Sequence, residues 1–120
     1  MSAELKQRTK AFALRILRLV DAMPRSQKGR ILAGQIGRSG TSVAANYRSA
    51  CRARSRAGFA AKLGVAEEEA DETTLWLELI AESEPLPAAK ASALHRESEE
   101  LTAIVASSRL TTIRTKRPSA

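Results

Sequence analysis

The chain predicts an all-α protein, an up-and-down antiparallel four-helix bundle, on three observations. Apolar and small residues recur in alternating steps of four and three along four segments, which keeps them on one side of a helix with 3.6 residues per turn. Prolines at 24, 85 and 87 and a capping serine at 55 punctuate those segments, and nowhere does the chain alternate with the two-residue period of a strand. Of the 120 residues 43% are hydrophobic but only 3% are aromatic, so the core must rest on Leu, Ile, Val and Ala, a mixture that suits helices. Amphipathic helices joined by short connections pack antiparallel to their neighbours.

The first stripe is Leu5, Thr9, Phe12, Ile16, Leu19 and Met23. It stops at Pro24, whose ring cannot continue a helix and restrains the residue before it. Ser26 can cap the next start. The second stripe, Leu32, Ile36, Ser39, Val43, Asn46 and Ala50, predicts a helix over residues 27–53, about 40 Å long at a rise of about 1.5 Å per residue. Gly34, Gly37, Ser39, Gly40, Ser42, Ala44 and Ala45 leave this helix little side-chain volume, and each glycine weakens its propensity by up to ~1 kcal/mol. Close backbone approach must compensate, either within the bundle or, on one face, against another subunit.

The third stripe runs Phe59, Leu63, Ala66, Ala70, Thr73, Leu77 and Ile80, before Pro85 and Pro87 interrupt it. The fourth runs Leu94, Ser98, Leu101, Val105, Ser108 and Thr112. Residues 1–115 are therefore expected to form one domain, with residues 116–120 a polar, basic, disordered tail.

Charge is unevenly distributed. Residues 1–66 hold 14 Lys/Arg against Glu4 and Asp21, a net +12; residues 67–100 hold 11 acids against Lys90 and Arg96, a net −9; residues 101–120 add +4, for +7 in all. A localised basic excess favours an anionic partner, nucleic acid first and an acidic protein or membrane surface behind it. No run reaches membrane-spanning length, and the opening MSAELKQR lacks an apolar signal region. The single cysteine, Cys51, cannot form an intramolecular disulfide or complete a zinc site with the single histidine, His95. A cytoplasmic protein without metal or cofactor is expected.

Arg48, Arg52, Arg54, Arg56 and Lys62 form the best candidate binding site, because no acid interrupts them and Arg48 and Arg52, four apart, share a helix face just before the turn that Ser55 marks. Guanidinium groups match phosphate with a planar fork of donors, and neutralising several phosphates releases counterions. Four aromatic residues, with Phe12 and Phe59 on core stripes, give few platforms for stacking single-stranded bases, so backbone and shape recognition of structured RNA or duplex is expected. The competing reading pairs these arginines with acids of the third helix or of a neighbouring subunit.

Glu68, Glu69, Asp71 and Glu72 fall at helical spacing, but a di-iron centre in a bundle needs a Glu-x-x-His pair on each of two helices, and Ser92 stands where the glutamate before His95 would be. A solvated face, or ion pairs to Arg38 and the arginine cluster, is the simpler reading. Ser39 and Asn46 fall on the stripe that should be buried, so a polar network from them to Glu68 or Glu72 is expected, fixing helix register. Trp76 reads as a packing anchor for the bundle or a subunit contact, His95 with Glu99 as a surface pair, and Cys51 as a small packing residue.

The run RSGTSVAANYRSACRARSR from Arg38, followed by FAAKLGVAEEEADETTLWLELI from Phe59, closely resembles the core signature of the 23S rRNA intervening-sequence proteins; the Met23–Pro24 break adds to it, and a weaker likeness spans about residues 5–110. Ala45 stands where that family often has glycine, and Gly58 where it often has an acid able to complete a capping box with Ser55. The resemblance implies an antiparallel four-helix bundle assembled as a homopentameric ring, in a wider group that includes basic accessory proteins of retroelements binding nucleic acid and a reverse transcriptase. Two functions are expected: a non-enzymatic nucleic-acid-binding oligomer, or a scaffold whose basic face receives an acidic partner such as a polymerase. No nucleophile with its base, phosphate loop or metal-ligand spacing points to an enzyme.

Overall fold

Four helices follow the stripes in order in the computed structural model, which describes residues 2–83 and 86–114: α1 (Ser2–Ala22), α2 (Gln27–Cys51), α3 (Arg56–Ser83) and α4 (Ala88–Arg114). Pro85 and the tail expected at 116–120 lie outside the described residues. The helices pack side by side into a rod of 59 × 22 × 20 Å, each against its neighbour in the chain. Cross-helix bonds fix the antiparallel register. Lys28 Nζ at the start of α2 donates to the Ser83 carbonyl at the end of α3 (3.0 Å), and Arg109 near the end of α4 reaches Glu67 near the start of α3.

The turns carry the chemistry their residues dictate. Ser26 Oγ accepts the Gly29 N–H at 3.0 Å and Ser55 Oγ accepts the Gly58 N–H at 3.0 Å, satisfying amides that a helix start leaves open. α2 ends two residues earlier than its pattern suggests. The Arg52 N–H turns back to the Ser49 carbonyl (3.1 Å) and the Ala53 N–H to the Ala50 carbonyl (3.0 Å), which tightens the last turn and stops the helix. At Gly29 an added Cβ would lie 2.0 Å from the Pro24 carbonyl oxygen, so the α1–α2 turn requires glycine there.

The first stripe is buried throughout, as are Leu63, Ala66, Ala70, Thr73, Leu77 and Ile80 of α3 and Leu94, Ser98, Leu101 and Val105 of α4. Close approach of α1 and α2 is real: a Cβ on Gly40 would come 2.8 Å from Ile16. Phe59, Ser108 and Thr112 at the stripe ends are only half-buried, and in mid-helix one residue departs from its stripe. Asn46 is only half-buried, and its neighbour Tyr47 takes the core position, 4% exposed, because the phenol fills volume that the small residues of α2 leave open.

Buried hydroxyl pairs cross the middle of the rod. Thr73 Oγ1 meets Ser39 Oγ of α2 at 2.8 Å, and Thr74 Oγ1 meets Ser98 Oγ of α4 at 2.8 Å, so consecutive residues of α3 bond to opposite neighbours. Thr73 also reaches the Glu69 carbonyl (2.7 Å) and Ser98 the Ala70 carbonyl (2.9 Å), leaving none of these hydroxyls without a partner in the apolar interior. The α1–α4 seam is the thinnest. A fork from Arg8 bridges it, Nε to Glu97 Oε2 (2.8 Å) and Nη2 to Glu97 Oε1 (2.8 Å) and Glu100 Oε1 (2.7 Å).

Candidate nucleic-acid interface

Up-and-down topology gathers at one end of the rod the start of α1, the end of α2, the start of α3 and the end of α4. Arg48 lies in the last turn of α2, Arg52 and Arg54 follow it into the connection, and Arg56 and Lys62 stand in the first two turns of α3. All five are exposed. Among the described residues, Arg48, Arg52, Arg54 and Lys62 form no ion pair with a carboxylate.

Three acids of α3 are held by other arginines. Arg38 donates to Glu69 Oε2 at 3.0 Å and to Glu72, and Arg109 Nε donates to Glu67 Oε1 at 2.7 Å. The bond from Glu69 leads the effects that push Arg38 above its ordinary pKa. At the α1–α4 seam Glu97, then Glu100, raise Arg8, and the Arg8 guanidinium holds Glu97 below the usual carboxylate range against the opposing effect of burial. Glu67, Glu69, Glu72, Glu97 and Glu100 are thus paired with Arg109, Arg38 and Arg8 along the shaft, and none of them reaches Arg48, Arg52, Arg54 or Lys62.

The expected polar network takes a different form. Ser39 is buried but bonds to Thr73 rather than to a glutamate, while Asn46 Nδ2 donates to the Ser42 carbonyl one turn back (2.9 Å) and joins nothing on α3. Glu68 is exposed and Glu72 takes Arg38. The physical reason is burial: neutral hydroxyls satisfy one another in the core at less desolvation cost than a carboxylate, which stays at the rim beside a cation. Trp76 is half-buried against the core edge and its Nε1–H donates to Glu72 Oε2 at 3.2 Å, tying the ring to the Arg38 ion pair.

His95 bridges two carboxylates, Nε2 to Glu78 Oε2 at 3.0 Å and Nδ1 to Glu99 Oε1 at 3.4 Å. Among the described residues no three His, Cys, Asp or Glu side chains converge as metal ligands. No helix among them is long and apolar enough to cross a membrane. Near the cationic end, burial first and a hydrogen bond with Cys51 second push the Tyr47 phenol up to about 12.

Two cations at this end escaped the sequence reading. Lys6 and Lys10 of α1 are exposed and line, with Arg48 and a floor of Ala3, Ala44 and Ala45, a groove of about 370 Å³ between α1 and α2. They lie some forty residues from Arg48 in sequence, and only their four-residue spacing combined with the antiparallel topology brings them beside it.

Fold and site together define a four-helix bundle with a cationic end and an ion-paired shaft. Residues 1–107 match the pattern of the 23S rRNA-intervening sequence protein family, and the chain belongs to that family. The fold is also similar to the crystal structure of a protein of unknown function from the S23 ribosomal protein family of Bacteroides thetaiotaomicron VPI-5482, with 36% identity, a TM-score of 0.83, and 90% of this chain and 96% of that one covered. No curated protein matches the chain.

Proposed function

We propose that the protein is a non-enzymatic, cytoplasmic nucleic-acid-binding homo-oligomer that holds structured RNA or duplex through its phosphate backbone. The observation that carries this reading is the set of exposed cations at the α2–α3 end, Arg48, Arg52, Arg54 and Lys62, that no acid of the described residues neutralises while Glu67, Glu69 and Glu72 close by in sequence are paired with other arginines. Oligomer formation draws support from Ile31 on α2 and from Leu75 and Leu79, four apart on one face of α3, which a lone rod leaves in water. Family resemblance sets the proposed number of subunits at five, and a ring repeats the cationic end, so that weak single contacts multiply.

Binding to a structured RNA, titrated with salt, tests the reading. Wild-type protein is expected to bind with a steep log–log salt dependence, and an Arg52→Gln/Arg54→Gln/Lys62→Gln variant to bind more weakly with a shallower slope. Absence of binding at low salt would overturn it. Light scattering measures the subunit number directly, and a monomer would remove the oligomeric part of the proposal.

A further inference from the structure

Two of the grooves along the rod are lined by basic side chains without any carboxylate, and α1 walls both of them. The first is the α1–α2 groove of about 370 Å³ with Lys6, Lys10 and Arg48 at its rim. The second, of about 360 Å³, lies between α1 and α4 further along the rod and carries Arg15, Arg18 and Lys90. The other grooves differ: the largest, between α3 and α4, includes Glu67 and Glu68, and the remaining two include Glu78 with Glu82 and Glu4. A polyanion laid against any of those three would meet a carboxylate, whereas the Lys6–Lys10–Arg48 and Arg15–Arg18–Lys90 grooves are lined by cations, Gln7 and alanine or leucine surface.

Charge along the chain reinforces the point. Residues 1–55, which span α1, α2 and their turns, hold twelve Lys/Arg against Glu4 and Asp21; residues 56–114 hold six against eleven acids. The α1–α2 side of the rod therefore carries the positive excess, and α1 lies between α2 and the Lys90-bearing start of α4. Lys6, Lys10 and Arg48 make no ion pair among the described residues. Four residues of helix advance about 6 Å, so Lys6 and Lys10 present two ammonium groups in file along the groove, and Arg48 faces them from α2.

We infer that α1 is the nucleic-acid-contacting helix, seating a phosphodiester backbone in the Lys6–Lys10–Arg48 groove and a second stretch of backbone in the Arg15–Arg18–Lys90 groove. This rests on the nucleic-acid reading above and moves its centre from the α2–α3 connection to the α1 ridge. Two tracks on opposite flanks of one ridge suit a duplex, whose paired strands offer two backbones, better than a single strand. The contacts position the duplex and carry no sequence information.

Fluorescence anisotropy with a 24-base-pair RNA duplex, a DNA duplex and a single strand of the same length tests this on the full chain. Three variants are compared, all changing exposed side chains: Lys6→Gln/Lys10→Gln, Arg18→Gln/Lys90→Gln, and Arg52→Gln/Arg54→Gln/Lys62→Gln, with circular dichroism melting confirming each fold. The first two variants are expected to weaken duplex binding about tenfold at 0.1 M salt and to lower the magnitude of the log–log salt slope by about two each, as two phosphate contacts are lost. Unchanged slopes in both α1 variants, with loss only in the third, would overturn the inference while leaving the nucleic-acid reading in place. No binding by the wild type would sink both. A free phosphorylated small molecule as the true occupant would show as displacement of the duplex by millimolar nucleotide but not by sulfate, and would also overturn the backbone assignment.

Discussion

Tyr47 shows what a single side chain contributes beyond its stripe. Its phenol is buried beside Cys51, which keeps the neutral form in the fold while the unfolded chain ionises near 10.0. A folded value raised above the unfolded one stabilises fully below the lower value and loses that contribution as pH rises through the higher one. Stability should therefore fall between pH 10.0 and about 12, with a limiting slope of about 1.4 kcal/mol per pH unit. Urea denaturation at stepped pH checks this, and Tyr47→Phe should flatten the slope. The sequence singled out Asn46 and passed over Tyr47, because a strict heptad selects one residue per turn and burial on so small-sided a helix extends to the next. It selected Ser39, Thr73 and Ser98 correctly as core positions, but spacing alone does not say which hydroxyl meets which.

α2 is the helix whose composition most needed a tertiary explanation, and its glycines divide sharply. Gly40 has Ile16 where its Cβ would be, at 2.8 Å, and Ile16 is branched close to its backbone and fully buried, so it has no room to retreat. Gly34 has nothing within 4 Å. Gly40→Ala should cost about 1–3 kcal/mol by overpacking. Gly34→Ala should gain up to about 1 kcal/mol from helix propensity. Thermal melts of the two variants against wild type make the comparison, and opposite signs are the expected outcome. Element order and most boundaries were legible in the sequence because Pro24, Ser26 and Ser55 are local signals. The α2 end was not, since Arg52 and Ala53 continue an acceptable pattern and only their amide bonds to Ser49 and Ala50 show the stop.

For the whole molecule, the weak place is the seam between the first and last helices. Arg8 spans it with a two-pronged bond to Glu97 that lowers the pKa of that carboxyl. A depressed carboxylate stabilises above its ordinary range and loses that contribution as pH falls through the depressed value, so acid should loosen α1 before the other helices. Arg8→Gln is expected to cost up to about 1 kcal/mol near neutral pH, given solvent screening of a partly exposed pair, and to remove most of that acid dependence. Hydrogen exchange resolved along the chain checks both, with α1 amides expected to exchange earliest in the variant. The candidate site was legible in half. The arginines near the α2–α3 turn are contiguous in sequence, whereas Lys6, Lys10 and Lys90 join the positive side only once the chain has folded back on itself.

The hydroxyl pairs at mid-length have a reach that their size conceals. Sliding α3 past α2 or α4 by one turn would leave Thr73 and Thr74 only the carbonyls of their own helix and take from Ser39 and Ser98 the α3 groups they bond, so the paired oxygens act as an alignment pin that opposes the slip. With that pin holding the centre, Lys6 and Lys10 from one end of the chain arrive beside Arg48 on one rim.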